Sequence, residues 1–181
     1  MLTKSVFSGF GGQGVLMMGY VLAHAGMEED KHVTFLPAYG AEVRGGTANC
    51  TVAVSEEEIA SPVASSPDFV IAMNYPSMVK YENMVKKDGV IFLNSDLISE
   101  KPARDDLKVI LVPANTLAHE MGNDRVLNMI MLGAMAKITG IVSQQSLEHA
   151  VGSVLEGKKQ ALVEINQKAI AKGADYVSSS N

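Results

Sequence analysis

The stretch Gly9-Phe10-Gly11-Gly12-Gln13-Gly14 separates a strand-like segment, residues 4–8, from an apolar helical pattern over residues 14–27. It has the spacing Gly-x-Gly-x-x-Gly, in which glycines permit a tight turn and a close approach of the backbone to a ligand. The start of the following helix offers unpaired N–H groups and a positive dipole end to an anion. We therefore expect a polar, ligand-facing edge that includes Gly11, Gly12, Gln13 and Gly14.

Beyond this turn, short β-branched segments alternate with longer helical patterns, which is typical of βα units around a mostly parallel sheet. The predicted strands cover residues 4–8, 31–36, 48–54, 68–73, 89–93 and 107–112. The predicted helices cover residues 14–27, 76–86, 114–121, 124–139, 143–155 and 158–172. No strand separates the last three helices. We expect an α/β fold with three layers, about six strands, helices on the faces of the sheet and a C-terminal helical layer.

A length of 181 residues predicts one domain, here residues 1–177, followed by a frayed tail at residues 178–181. Pro76 suits the first turn of a helix, Ser143 suits an N-cap, and Gly173 indicates a left-handed stop at a helix end. The stretch 126–138 is apolar almost all the way round, which favours a helix buried within the domain or against a partner.

Composition excludes several classes of function. The 20 acidic and 15 basic side chains give a formal charge of -5, which argues against nucleic acid as a main partner. The single cysteine, Cys50, excludes an iron–sulfur cluster held by this chain alone, and no His or carboxylate spacing suggests a metal site. No apolar run approaches the length of a membrane span, and the N-terminus lacks a signal-peptide pattern, so we expect a cytoplasmic protein without a membrane partner.

A dinucleotide site would also require an acidic residue at the end of the second strand. That strand ends Leu36-Pro37-Ala38-Tyr39, whereas Glu28, Glu29 and Asp30 precede it. Three interpretations stay open at this point. The chain is a stand-alone NAD(P)- or nucleotide-binding Rossmann-like enzyme, a structural scaffold whose turn only shapes the backbone, or a protein that receives another anionic or polar partner.

A second loop, Tyr39-Gly40-Ala41-Glu42-Val43-Arg44-Gly45-Gly46-Thr47, follows the second strand. Loops after parallel strands lie at the carboxyl edge of the sheet, where open α/β folds bind ligands. The planar guanidinium of Arg44 can donate two hydrogen bonds to a phosphate or carboxylate, and the glycines beside it let backbone N–H donors approach the same ligand. We expect Arg44, Gly45 and Gly46 at the same edge as the first turn. The alternative is that Arg44 pairs with Glu42 while the glycines merely turn the chain.

Together the two motifs resemble those of the γ subunit of 2-oxoacid:ferredoxin oxidoreductases. Further pieces spread along the chain support the likeness: Ile59 with Ser61-Pro62, Pro67-Asp68, Asn128, Met131-Leu132-Gly133-Ala134, and Asn166 with Gly173. Within that family the chain looks most like the stand-alone γ subunit of the 2-oxoglutarate enzymes.

The resemblance implies a subunit of a complex that converts a 2-oxoacid and coenzyme A into acyl-CoA and carbon dioxide and passes electrons to ferredoxin. Its partners would be α, β and ferredoxin-like subunits, with ferredoxin or a similar acceptor. Thiamine diphosphate, Mg and the iron–sulfur clusters would sit on those partners, with no catalytic residue and no cofactor on this chain alone. The γ chain would complete the assembly and help to accommodate coenzyme A.

Overall fold

Six strands form a single mixed sheet in the computed structural model, which describes residues 1–39 and 46–179. They are β1 (Thr3–Phe10), β2 (His32–Tyr39), β3 (Thr47–Ser55), β4 (Phe69–Ala72), β5 (Val90–Asn94) and β6 (Lys108–Val112). Their order across the sheet is β2-β3-β1-β4-β5-β6. The predicted number of strands and the predicted α/β class are therefore confirmed.

The helices of the described residues follow the order expected from the sequence. They are α1 (Val15–Glu28), α2 (Tyr75–Tyr81), α3 (Ala114–Glu120), α4 (Leu127–Thr139), α5 (Gln144–Val154) and α6 (Gln160–Ser179), with a short 3-10 turn at Asp124–Val126. None of these helices is both long and apolar enough to cross a membrane. The last three succeed one another without a strand between them, so the predicted C-terminal helical layer is present.

Strand direction divides the sheet into two parts. β1, β4, β5 and β6 pair in parallel, whereas β3 pairs antiparallel with both β1 and β2. The connection between β2 and β3, residues 40–46, is shorter than the dozen or so residues that a parallel crossover needs, which explains the antiparallel hairpin. Because β2 and β1 both run antiparallel to β3, their carboxyl ends still lie at the same edge of the sheet.

The two faces of the sheet build two apolar cores. One core joins sheet residues such as Phe7, Ile71 and Phe92 to α1, α3, α4, α5 and α6. The other joins Val70 and Leu93 to α2 and neighbouring loops. The alternation along each strand puts successive side chains on opposite faces, and the result is the predicted three-layer arrangement.

α4 and α6 cross at unusually close range because each has a glycine at the contact. A Cβ at Gly133 would overlap the carbonyl of Ile170, and a Cβ at Gly173 would overlap the carbonyl of Ile130. Gly173 was predicted to end a helix, which is wrong: it lies inside α6, and its missing side chain lets the two backbones touch. This crossing buries α4 from Asn128 to Ala136, so the apolar stretch predicted at residues 126–138 lies in the core of the domain.

The predicted roles of Pro76 and Ser143 at helix starts are confirmed, whereas α2 ends at Tyr81, earlier than predicted, and α6 continues beyond residue 172 to Ser179. Pro76 lies in the first turn of α2, and the Ser143 hydroxyl accepts a hydrogen bond from the Ser146 N–H as the N-cap of α5. The predicted tail is helical as far as Ser179, since the hydroxyls of Ser178 and Ser179 donate to carbonyls one turn earlier. The two remaining residues of that tail, 180–181, lie outside the described residues.

The Glu29 carboxylate links the end of α1 to the start of α5. The Glu29 carboxylate accepts hydrogen bonds from the Lys31 ammonium at 2.7 Å and from the Ser143 N–H at 2.6 Å. Burial raises the pKa of Glu29, but the hydrogen bonds to Lys31 and Ser143 outweigh it and lower the pKa to about 2. The carboxylate is therefore ionised at any ordinary pH, and it fixes the turn that leads from α1 into β2.

The α4–α6 crossing predicts that Gly173→Ala lowers the free energy of unfolding by about 1–3 kcal/mol, because the added methyl overpacks the contact with Ile130. The loss should appear although alanine favours a helix over glycine by about 1 kcal/mol. Gly152→Ala in α5 is the matched control, because a Cβ there meets nothing within 4 Å. Urea denaturation of both variants should show opposite signs, and a stabilised Gly173→Ala would contradict the close crossing.

Candidate functional site

The glycine-rich segment forms a tight turn at the carboxyl end of β1. The Gln13 N–H donates to the Phe10 carbonyl at 3.2 Å, and Gly14 is the N-cap residue of α1. Gly12 and Gly14 have φ angles of 96° and 71°, in a region that glycine enters without the steric cost of a side chain. The turn predicted from the spacing is therefore present, between the strand and the helix that the motif requires.

The Gln13 side chain fastens this turn to the neighbouring strand β4. Its Oε1 accepts hydrogen bonds from the Phe10 N–H at 2.7 Å and from Asn74 Nδ2 at 3.1 Å, while its Nε2 donates to the Met73 carbonyl at 3.3 Å. Asn74 is itself buried and caps α2 through its Oδ1. The side-chain amide of Gln13 thus positions the turn. Its contact with a ligand stays a prediction, which would use the second hydrogen of Nε2.

The glycines of the motif divide into two groups. A Cβ at Gly9 would come within 2.6 Å of Gln13 Oε1, and one at Gly14 would overlap the Asn128 amide, so internal packing requires both. By contrast, among the described residues nothing lies within 4 Å of a Cβ at Gly12, and only the Gly46 carbonyl, at 3.7 Å, lies near one at Gly11. A purely structural turn therefore explains Gly9 and Gly14 by packing and Gly12 by its positive φ, whereas the described residues leave open space beside Gly11 and Gly12.

Unpaired backbone donors surround that open space. The N–H groups of Gly12, Val15 and Leu16 have no hydrogen-bond acceptor among the described residues, and α1 has no side-chain cap. The first N–H groups of a helix seek such acceptors, and the helix dipole adds a partial positive charge at the same place. This geometry suits a phosphate or a carboxylate.

The second predicted loop begins and ends beside the turn. Tyr39 of β2 pairs with Ala48, Phe10 of β1 pairs with Thr47, and the Gly11 N–H donates to the Gly46 carbonyl at 2.9 Å. The two motifs therefore meet at one edge of the sheet through Gly11 and Gly46. Two of the predicted site residues, Arg44 and Gly45, lie outside the described residues.

A cavity of about 240 Å³ opens beside Gly14, between α1, α4, α5 and α6. Apolar side chains supply most of its lining, namely Met17, Val21, Met129, Val151, Leu155 and Leu162. Its polar lining is Arg125, Asn128 and Asn166. An anion bound at the turn would thus have an apolar channel next to it.

None of these three polar residues was predicted as a site residue. Asn128 Nδ2 donates to the Gly14 carbonyl at 3.2 Å, and its buried Oδ1 has no partner among the described residues. Arg125 is exposed at the mouth of the cavity. The sequence does contain a signal for Arg125 as a candidate site residue, because no other lysine or arginine lies between Lys108 and Lys137.

A larger cleft of about 480 Å³ lies at the opposite edge, near the amino ends of β4 and β5. Two of its lysines are already paired, Lys31 with Glu29 and Lys86 with Asp68. Size alone therefore does not identify the site. The smaller cavity is set apart by its position, because it lies beside Gly14, the N-cap residue of α1.

The sheet topology argues against a dinucleotide site. In such sites the strand after the first helix lies directly beside the first strand, and its carboxyl end holds the ribose. Here β3 lies between β1 and β2, which separates them by two strand spacings, or about 10 Å. β2 also has no acidic residue along its length. Neither the position of β2 in the sheet nor the residues along it suit a ribose ligand.

Cys50 is an inert thiol. It is fully buried in β3, and burial raises its pKa to about 12, although a backbone hydrogen bond lowers the value in part. The thiol therefore stays protonated and unreactive at neutral pH. Within residues 1–39 and 46–179, no group of three or more His, Cys, Asp or Glu side chains could hold a metal ion.

Comparisons with known proteins agree with this geometry. The family model of pyruvate ferredoxin/flavodoxin oxidoreductase matches residues 4–176. Ketoisovalerate oxidoreductase subunit VorA of Methanothermobacter marburgensis is 38% identical over 93% of the chain, but the chain spans only 35% of that relative's length. The 2-oxoglutarate synthase subunit KorC of Methanocaldococcus jannaschii is 33% identical over 92% of the chain and 89% of its own length.

Solved structures show the same fold. The γ subunit of a keto/oxoacid ferredoxin oxidoreductase from Geobacter sulfurreducens superimposes with a TM-score of 0.83 and 30% identity, covering 98% of this chain and 99% of that one. A 2-oxoglutarate:ferredoxin oxidoreductase from Magnetococcus marinus gives a TM-score of 0.89 at 21% identity, over 98% of this chain and 31% of that one.

The contacts of Gln13 predict that Gln13→Ala lowers the free energy of unfolding by about 1–3 kcal/mol, because the buried Asn74 amide and the Phe10 N–H lose their acceptor. Gln13→Glu keeps that acceptor and should lose less. Gln160→Ala, which removes one exposed contact to Glu164, is the control and should stay within about 0.5 kcal/mol of the parent chain. Chemical denaturation that gives equal stability for Gln13→Ala and Gln160→Ala would contradict the positioning role.

Proposed function

The chain belongs to the pyruvate ferredoxin/flavodoxin oxidoreductase family, and we propose that it is the γ subunit of a multi-subunit 2-oxoacid:ferredoxin oxidoreductase. The observation that carries this proposal is the nearly complete coverage of separate subunits. The chain spans 89% of the KorC relative and 99% of the Geobacter γ subunit, so the resemblance covers the whole of those chains. In the VorA relatives the same domain accounts for about a third of a longer chain.

In the proposed complex a 2-oxoacid and coenzyme A become acyl-CoA and carbon dioxide, and the electrons pass to ferredoxin. This chain does not offer the groups that such redox chemistry needs. An iron–sulfur cluster takes about four thiolates, and the single cysteine is buried and protonated. We therefore assign thiamine diphosphate, Mg²⁺ and the clusters to the α, β and ferredoxin-like partner subunits, and no catalytic residue to this chain.

We assign to this chain a place for the phosphates of coenzyme A. The unpaired N–H groups of Gly12, Val15 and Leu16 supply neutral donors, and Arg125 and Arg44 supply positive charge. The apolar cavity beside Gly14 suits an uncharged arm that continues from a phosphate. Coenzyme A has both parts, whereas a simple 2-oxoacid lacks the long uncharged arm. The NAD(P) alternative is not favoured, because the ribose ligand is missing from β2.

We propose 2-oxoglutarate as the 2-oxoacid of the complex. The relatives named for three different 2-oxoacids share the family fold, so overall similarity does not separate the substrates. The KorC relatives match as separate subunits of similar length, and so does the common γ subunit of pyruvate and ketoisovalerate oxidoreductases, so substrate assays must decide between them.

Assembly with partner subunits tests the proposed role. We expect the purified chain to be inactive alone and the complex reconstituted with α-, β- and ferredoxin-like subunits to reduce ferredoxin when given 2-oxoglutarate and coenzyme A. Omitting this chain should abolish or strongly reduce that activity. Parallel assays with pyruvate and ketoisovalerate identify the substrate. Full activity without this chain would refute the subunit role, and a higher kcat/KM for another 2-oxoacid would refute only the substrate.

The coenzyme A site predicts that Arg44→Ala weakens apparent affinity for coenzyme A by roughly ten- to a hundred-fold, which corresponds to about 1.5–3 kcal/mol for a charged hydrogen bond. Arg125→Ala should act in the same direction. Lys87→Ala at the opposite edge is the control and should leave the KM for coenzyme A unchanged. If Arg44→Ala and Arg125→Ala reduce assembly but not affinity, the loops serve subunit contacts instead.

A further inference from the structure

The surface formed by α1 and β2 lacks ionised side chains. Residues 5–27, 33–39 and 46–55 contain no Asp, Glu, Lys or Arg, although they include most of α1 and β2. Surface helices ordinarily carry charged residues on the side that faces water. α1 instead turns an uncharged stripe outward, made of Leu16, Met17, Tyr20, His24 and Met27.

Large apolar side chains on this surface are exposed to solvent. The exposed fractions are 44% for Tyr20, 60% for Met27 and 74% for Tyr39 at the end of β2. Tyr20 packs against the rings of His24 and Phe35, at centroid distances of 4.6 and 5.8 Å, so these three rings form one continuous cluster, and Tyr39 lies further along β2. We call the patch of Tyr20, His24, Met27, Phe35 and Tyr39 the α1–β2 face.

The composition of the α1–β2 face is that of an interface core. Such cores are enriched in aromatic residues and methionine and depleted of charged residues. The outer helices of the domain differ, because exposed charges such as Glu164, Lys168 and Asp175 lie on α6. A helix that is apolar on every side is ordinarily buried on every side, whereas α1 packs on the sheet and against α5 and leaves its remaining side exposed within this domain.

We propose that the α1–β2 face docks against a partner subunit of the same complex, the one that corresponds to the remainder of the longer relatives. This inference rests on the proposed function. In the VorA relatives a domain like this one makes up 35% of the chain, so it is covalently joined to a large additional part. The domain also keeps its fold within a longer chain, since 31% of the Magnetococcus chain superimposes on it with a TM-score of 0.89.

The partner surface is apolar, poor in charge and able to receive aromatic side chains. It docks onto side chains and does not add a strand to β2. Pro37 has no N–H and sits in the middle of that edge strand, where it interrupts the row of donors that an added strand would use.

Charge introduced into the α1–β2 face tests the inference. Met27→Glu and Tyr20→Glu should each weaken the complex with the partner subunit tenfold or more, because the new carboxylate would have to be desolvated on binding. Met27→Leu should retain wild-type affinity. Val79→Glu on α2 is the matched control, since Val79 is 46% exposed on another helix and should tolerate the charge.

The dissociation constant of each variant is measured against the purified partner subunit, after circular dichroism and thermal melting confirm that the variant is folded. Met27 is the more exposed of the two tested side chains, so Met27→Glu decides the outcome if Tyr20→Glu does not fold. Equal affinity of Met27→Glu, Val79→Glu and the parent chain would overturn the docking face while leaving the γ-subunit role intact.

Two further results separate the alternatives. If the parent chain does not bind the partner subunit at all, the proposed function fails, and the docking face fails with it. If the parent chain forms a dimer that Met27→Glu dissociates without any effect on partner binding, the face joins two copies of this chain and the inference is wrong.

Discussion

The site depends on a single amide that holds the first turn against the sheet. The Gln13 side chain accepts hydrogen bonds from the N–H of Phe10, three residues earlier, and from the amide of Asn74, which caps the helix after β4. The same side chain donates to the carbonyl of Met73. Because β1 and β4 are parallel neighbours, this contact locks the carboxyl ends of two strands and the starts of two helices into one rigid unit. The open N–H groups at the beginning of α1 keep their direction for that reason.

The same turn determines which side of α1 is buried. From Gly14 the helix runs back across the hairpin of β2 and β3. It packs closely on Val33 of β2 because Gly26 has no side chain: a Cβ at Gly26 would lie 2.8 Å from the Val33 side chain. Gly19 allows a similar approach to Phe35 and Val52. The glycine stripe on one side of α1 therefore brings it close to the sheet, and the uncharged stripe with Tyr20 and Met27 is left on the other side. The proposed ligand edge and the proposed docking face both follow from this placement of α1.

Sequence periodicity predicted the elements well because each depends on residues close together in the chain. The strand–glycine turn–helix unit, the Pro76 turn and the Ser143 cap are all local, and all are present. Gly173 was misjudged because a glycine at a stop and a glycine at a helix crossing look alike in sequence. The difference lies in Ile130, which is distant in the chain and touches Gly173 only after folding. The sequence indicated Asn128 only as part of the family resemblance and not as a neighbour of the turn, because its contact with Gly14 spans 114 positions. Such tertiary contacts leave no local pattern.

The chemistry of the site explains why an accessory subunit can keep an anion-binding edge without any catalytic group. Binding an anion needs only oriented N–H dipoles and a guanidinium, which backbone geometry and one arginine supply. An iron–sulfur cluster needs about four thiolates, and this chain has one sulfhydryl, whose burial raises its pKa to about 12. A 2-oxoacid oxidoreductase built from separate chains can therefore place the recognition of a charged co-substrate on one subunit and the redox centres on others. The turn around Gly12 would then act only when a partner brings the reacting atoms to it. On this argument the docking of α1 and the occupancy of the turn are thermodynamically linked, since a ligand that touches both subunits stabilises their contact.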